Sequence, residues 1–209
     1  MQTAFTDAIR AAQDRFRIYC QERGFEPGKD GLEHDRFDPA SRHVLVRNRA
    51  TGVVLGTVRV VLSKGATGLN GFPMRQVCEP WVLSPMPIAG TGEISRFALT
   101  RDRAGISPAA AALMRLCLIR GLIQVSAQSE LTHWCAIMEP TLLRLLRATG
   151  IHFTAVGPTV EHHGTRQPAA CGIATMLNRM KLEQPAVWAY VTGNGALWSE
   201  TLAEQQMSS

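Results

Sequence analysis

The chain has no long hydrophobic run. Nowhere do about 18 uncharged apolar residues stand together, so no membrane-spanning helix is expected. Its first residues, MQTAFTDAIRAAQDRFR, lack the apolar block between a basic start and a small-residue cleavage site that marks an export signal. Both absences point to an unexported, cytoplasmic protein. Cysteine is scarce and badly placed for cross-linking: Cys20, Cys78, Cys117, Cys135 and Cys171 form an odd, widely spaced set with no CxxC pair, which suits reduced core thiols rather than a disulfide framework. His133, Cys135, His162 and His163 make no zinc spacing, so no metal site is expected. The glycine-rich stretch 65–71 lacks the Gly-Lys-Ser/Thr of a phosphate loop. Block charge is missing too. The net charge of +5 is dispersed, with no aromatic-interleaved RNA-binding signature, which argues against nucleic acid and leaves an acidic protein, transient membrane-surface contact or a plain solvated surface.

What is present fits one domain. The 209 residues are 45% hydrophobic, enough for one well-cored unit over 1–209 and short for two. Phe5, Ile9, Ala12, Phe16 and Tyr19 recur at three- or four-residue steps, predicting a helix from Thr3 to Arg23 that Gly24 closes. A polar loop over Pro27–Ala40 leads into β-like runs at Arg42–Arg47 and Val53–Leu62, joined by the turn-prone Asn48–Gly52 as an antiparallel hairpin. From Ser63 to Gly92 four prolines and several glycines preclude one regular element, and a loop of that length is usually functional. A strand is expected at Glu93–Thr100. Ser107-Pro108 opens an apolar, buried helix to about Gln128. Then follow a strand at Thr132–Glu139, a helix at Pro140–Ala148 closed by Gly150, a strand at Ile151–Val156, a helix near Cys171–Leu182, a strand at Val187–Thr192 and a final helix. The interleaving predicts an α/β (α+β) fold with a mixed central sheet and helices on both faces.

Charged residues stand where strands expect apolar ones: Arg59 in GTVRVV, and Glu93 and Arg96 in GEISRF. Buried charges must be paired, hydrated or neutralised. The acids of Glu33-His-Asp-Arg-Phe-Asp38 and the arginines Arg15 and Arg17 are the available partners, and by charge pattern alone the set reads as a structural ion-pair network.

Arg15 with Tyr19, Phe25 after Gly24, Glu33-x-Asp35-x-x-Asp38, Arg59 in GTVR and Glu93-Ile-Ser-Arg96 resemble, in order and spacing, the autoinducer (acyl-homoserine-lactone) synthases of the GNAT fold. The resemblance covers roughly the first half of the chain. Tyr19 stands where that family has Phe and Phe25 where it has Trp, departures that bear on the acceptor. The second half, THWCAIMEP and GPTVEHHGTRQP, is more similar to acyltransferases associated with PEP-CTERM/exosortase systems, relatives of the N-acyl amino acid synthases.

The resemblance implies a GNAT-like N-acyltransferase, with no bound cofactor, that moves a fatty acyl group from acyl carrier protein, less readily from CoA, to the amine of an amino acid. It implies that Glu93, Arg96, Arg59, Asp35 and Asp38 form the catalytic set. Arg15, Tyr19, Phe25, Phe97, Trp134 and Arg166 fall on the substrate side. Only a free amine attacks a thioester, so a carboxylate must take its proton, and Glu93 is the expected base. The GNAT fold supplies an oxyanion N–H from a bulged fourth strand. Glu93 and Arg96, three apart, would lie on opposite faces of a regular strand, and a bulge between them would bring them together; the ion network is expected to keep Glu93 ionised. Arg101, Arg103 and Gly105, a degraded form of the GNAT pyrophosphate signature, could hold one pantetheine phosphate at the helix N-terminus, or form a plain loop and cap. Arg166, with no evident partner in its loop, could grip the acceptor carboxylate, with Arg17 and Arg96 as other cations. Leu113–Leu122, Trp134 and Ile137 are the candidates for the dry end of an acyl pocket. The rival readings are an autoinducer synthase using S-adenosylmethionine and a non-catalytic GNAT-like domain that binds acyl chains or a protein.

Overall fold

Val-rich runs form the first strands of the sheet, as β-branched side chains favour the pleated surface. A computed structural model describes residues 12–13, 15–22, 24, 28, 30–63, 71–87, 89–101 and 106–198. Strands β1 (Ser41–Arg47) and β2 (Val54–Leu62) make the expected hairpin, closed by Gly52 N–H on the Asn48 carbonyl at 2.8 Å. Strand β3 (Thr91–Leu99) adds antiparallel to β2, and β4 (His133–Met138) adds parallel to β3. β7 (Thr165–Gly172) pairs antiparallel with β4 and carries the two-residue strands β5 (Thr154–Ala155) and β6 (Val160–Glu161). The order is β1-β2-β3-β4-β7-β5, a mixed sheet as expected.

Helix α1 (Pro108–Gln128) crosses one face of the sheet. Ser107 Oγ accepts from Ala110 N–H at 3.1 Å, the N-cap bond the sequence signals. By length and mean hydropathy α1 could cross a membrane, yet Leu118, Leu122 and Ile123 are buried against the sheet and Trp134 Nε1 donates to Ser126 Oγ at 2.8 Å. Helices α2 (Pro140–Arg147), α3 (Ile173–Glu183) and α4 (Pro185–Thr192) complete the chain, with α4 packed on α1. A second apolar cluster covers the opposite face: Phe72, Met74 and Val82, from the segment between β2 and β3, pack over Val61 and Cys135.

Three local expectations are corrected. Thr165–Gly172, read as a loop with a helix from Cys171, is a strand that Pro168 disguised; Pro168 faces the short β5 side, where its carbonyl accepts from Val156 N–H at 3.0 Å. The strand expected at Ile151–Val156 shrinks to Thr154–Ala155. Val187–Thr192 is helical, because Pro185 starts a helix well and a short apolar run does not separate strand from buried helix. Part of the N-terminal helix, and the final helix beyond 198, lie outside the described residues. Phe16–Glu22 is a π-helix, ended by Gly24 at φ +66°, and it buries Ile18 and Cys20.

Gly121 lets α1 approach β1. A Cβ there would overlap Val44 Cγ1 and lie 3.2 Å from its Cγ2. Alanine gains about 1 kcal/mol of helix propensity, but overpacking against a stiff β-branched side chain costs about 1–3 kcal/mol. Gly121→Ala should lower the melting temperature by about 2–4 °C, with less effect in a Val44→Ala background. A rise in melting temperature on Gly121→Ala would contradict the close approach.

Candidate active site

The site begins with an irregularity in β3. Register runs from Thr57↔Ala98 to Arg59↔Ser95, so Val58 faces two residues, Arg96 and Phe97, and β3 carries the expected bulge. It is the third strand of the described chain. Arg96 there has φ +56°, and its guanidinium reaches the face of the sheet that holds Arg59 and Glu93. Beyond Glu93, β3 parts from β4: the parallel pairing covers only Thr91–Glu93 with His133–Cys135. The gap is a cleft of about 280 Å³ between β3 from Glu93 to Leu99, the end of β4 and helix α2.

Above β2 and β3 lies a closed ring of six alternating charges. Glu33 bridges Arg15 (2.6 Å) and Arg96 (2.8 Å); Asp35 bridges Arg96 (3.1 Å) and Arg59 (2.7 Å); Asp38 bridges Arg59 (3.0 Å) and Arg15 (3.0 Å). Arg59 Nε also donates to Ser95 Oγ at 3.0 Å, while its buried Nη2 meets no partner among the described residues. Burial pushes the Asp35 carboxyl up, but the Arg59 bond and charge, the Phe37 N–H and Arg96 outweigh it and hold it below its usual range. Burial and the Arg15 charge drive His43 down to about 4, so its neutral ring can accept from Arg15 Nη1 at 2.9 Å.

Glu93 stands outside this ring. It is 1% exposed, and both carboxylate oxygens accept from Met74 N–H, at 3.1 and 3.0 Å. Burial pushes it up to about 8 despite the Met74 N–H and the charges of Arg59 and Arg96. The expectation that the network keeps Glu93 ionised is thus corrected: among the described residues no arginine bonds it, and desolvation wins.

Tyr19 and Phe97 line the cleft, with the Arg96 guanidinium 4.7 Å from the Tyr19 ring centroid. Trp134 does not. It is wholly buried between sheet and α1, and of 113–122 only Arg115 reaches the cleft, whereas Ile137 does line it. Leu142 and Leu145 of α2 supply the apolar wall instead. Arg166 lines the cleft but is not unpartnered: it bonds Glu139 Oε1 (2.6 Å) and the carbonyls of His162 (3.0 Å) and His163 (2.7 Å). Arg17 is held by Glu22 and the Val54 carbonyl. Arg101 is exposed, its N–H donating to Glu22 Oε2 at 2.7 Å. Phe25, Arg103 and Gly105 lie outside the described residues. Sequence reading left out Glu33 as a site residue, as well as His43, Ser95, Arg115 and the Met74 N–H. Only Glu33, inside the quoted acidic segment, carried a visible signal. Among the described residues no group of His, Cys, Asp and Glu could hold a metal.

The raised Glu93 makes stability fall with pH. Below its ordinary value of 4.5 the carboxyl is protonated folded and unfolded alike; between 4.5 and about 8 the folded state holds a proton the unfolded state has lost. Above about 8 the fold carries a buried charge, so stability present at acid pH is lost as pH climbs through that window. Denaturant unfolding from pH 5 to 9 should show this decline in the wild type and a flatter profile in Glu93→Gln; equal slopes would show that Glu93 is not buried protonated.

Residues 15–106 match the family described as Acetyltransferase (GNAT) domain. No curated protein matches the sequence significantly. Among solved structures, TofI in a ternary complex with an inhibitor and MTA is similar at TM-score 0.63 and 20% identity, over 88% of this chain and 93% of that one. A CoA-dependent acyl-homoserine lactone synthase, BjaI, with SAM and isopentyl-CoA, is similar at TM-score 0.64 and 19% identity, over 89% and 84%. FeeM, an N-acyl amino acid synthase from uncultured soil microbes, is similar at TM-score 0.52 and 17% identity, over 88% and 91%. At these identities the likeness is one of fold. With its mixed sheet, its bulged third strand and the parting of β3 from β4, the chain has the GNAT-like acyltransferase fold.

Proposed function

We propose that the protein is an N-acyltransferase that moves a fatty acyl group from the phosphopantetheine thioester of acyl carrier protein to the amine of an amino acid, in the cytoplasm. The observation that carries the reading is Glu93: a buried carboxyl, pushed up to about 8, at the point where β3 and β4 part and three residues before the bulge at Arg96. A base with that affinity for a proton is matched to an ammonium group near neutral pH. Ionised Glu93 takes a proton from the acceptor; the freed nitrogen bonds to the thioester carbonyl carbon, and the oxyanion turns to N–H groups of the bulged strand. Collapse breaks the C–S bond, the second amine proton leaves with the thiol, and Glu93 returns its proton to solvent.

The apolar wall of Phe97, Ile137, Leu142 and Leu145 suits an acyl chain. At the α1 side, Arg115 is half-buried in the cleft and makes no hydrogen bond or ion pair to any described residue, so it suits the single phosphate of a pantetheine arm. Arg166 suits the acceptor carboxylate, which would compete with the exposed Glu139 for the same Nη1. The second reading is an acyl-homoserine-lactone synthase, favoured by the likeness to BjaI, in which S-adenosylmethionine is the acceptor.

Purified protein should release thiol from acyl carrier protein thioesters when amino acids are supplied, and mass spectrometry should find the N-acyl product. Glu93→Gln should lower kcat by about a hundredfold or more. The wild-type rate should rise with pH toward an inflection near 8, as the base form appears. Lactone formed from S-adenosylmethionine would establish the second reading; product formation unchanged in Glu93→Gln would remove Glu93 from the mechanism, and no product with either acceptor would favour a binding domain.

Arg115 offers a separate check. Arg115→Ala should raise KM for a phosphopantetheine thioester by about 10–100-fold, the equivalent of one charged hydrogen bond, with kcat little changed. The unphosphorylated pantetheine thioester should be insensitive to the substitution. Equal loss with both donors would show that Arg115 does not read the phosphate.

A further inference from the structure

Arg96 has a backbone that does not suit its side chain. At φ +56° it occupies the left-handed region, where a Cβ is crowded and glycine is the natural occupant, and it does so as the extra residue of a bulge. Such a conformation persists only where the surroundings over-determine it. Here they do so from three directions: Nε donates to Glu33 Oε1 at 2.8 Å, Nη2 donates to Asp35 Oδ2 at 3.1 Å, and the guanidinium sits 4.7 Å from the centroid of the Tyr19 ring. The two acids are themselves fixed from the far side, Glu33 by Arg15 and Asp35 by Arg59. Every one of these groups except Arg59 belongs to the π-helix region or the acidic loop, and all of them converge on one residue of the strand that walls the cleft.

We infer that Arg96 is a positioning residue: its ion pairs hold the left-handed turn of the bulge, so that the β3 backbone takes its working shape only when Tyr19 and the acidic loop are docked. The segment on the acceptor side thereby sets the geometry of the backbone on the donor side. Arg96 itself takes no part in the bond changes. This inference rests on the acyl-transfer reading above for its kinetic test, but not for its stability test.

The discriminating variants are Arg96→Ala, Arg96→Gly and Arg96→Lys. Alanine removes the ion pairs and keeps the crowded Cβ; its kcat should fall by about a hundredfold, the scale of a displaced oxyanion donor, with both KM values within about threefold. Glycine removes the same ion pairs but accepts the left-handed region, and it should recover about tenfold of the lost kcat. If the charge alone mattered, lysine would restore activity and glycine would be no better than alanine, and that result overturns the inference. Thermal unfolding supplies the second readout. Arg96→Gly should melt no lower than Arg96→Ala, the reverse of the usual order within a strand; a lower melting point for the glycine variant also overturns the inference. Should the wild type transfer no acyl group, the proposed function falls while the melting order still decides this inference. Should it transfer acyl groups with Arg96→Gly no faster than Arg96→Ala, the inference falls while the function stands.

Discussion

Three arginines brought out of water must each find negative charge, and that requirement organises the N-terminal half of the molecule. Arg15 and Arg59 are 1% and 0% exposed, and an unpaired charge at such depth is far more costly than any surface ion pair is favourable. The solution is the hexad in which every acid meets two arginines and every arginine two acids. It is all or nothing: removing one member leaves two groups of the other sign half-paired. The acidic loop therefore has one place to lie, and the helical segment that carries Arg15 and Tyr19 toward it is fixed along with it.

Glu93 shows what happens to a charge left out of that arrangement. It shares its face of the sheet with Arg59, yet among the described residues its direct hydrogen-bond partner is the N–H of Met74, from a segment that shields it with Phe72 and Val82. Desolvation then governs, and the carboxyl prefers its proton. Over the same sheet face thus lie acids ion-paired to arginines, Asp35 held below its usual range among them, and one acid, Glu93, pushed up by apolar cover.

Much of this was legible in the residues. The strands β1 to β4 and α1 with its Ser107 cap follow from alternation and capping, whereas the bulge, which the resemblance placed between Glu93 and Arg96, lies at Arg96 and Phe97. The pairing of Arg59 and Arg96 with Asp35 and Asp38 was visible as charge complementarity. What escaped depends on tertiary context. Nothing in Pro168 signals a strand, because its tolerance there depends on facing the short β5 side, where Val156 N–H donates to its carbonyl, and the helix Pro185–Thr192 takes its identity from packing on α1. Arg166 read as unpartnered because Glu139 is distant in sequence, and Trp134 read as pocket-lining because period-two alternation does not say which face is the cleft. The Met74 N–H on Glu93 is a backbone contact, invisible to any pattern of side chains.

The short parallel seam between β3 and β4 also bears on how such a protein can change over generations. Glu93, the hexad and the bulge all come from residues 15–97, whereas the far wall of the cleft comes from β4, α2 and β7, and β3 and β4 pair through only three residue pairs. Substitutions on the far wall share few partners with the hexad, so their effects on stability should combine with those in the first half nearly additively. Such a layout lets descendants reshape the far wall of the cleft by drift in one half of the gene while the buried carboxyl and its charged surroundings in the other half are inherited intact.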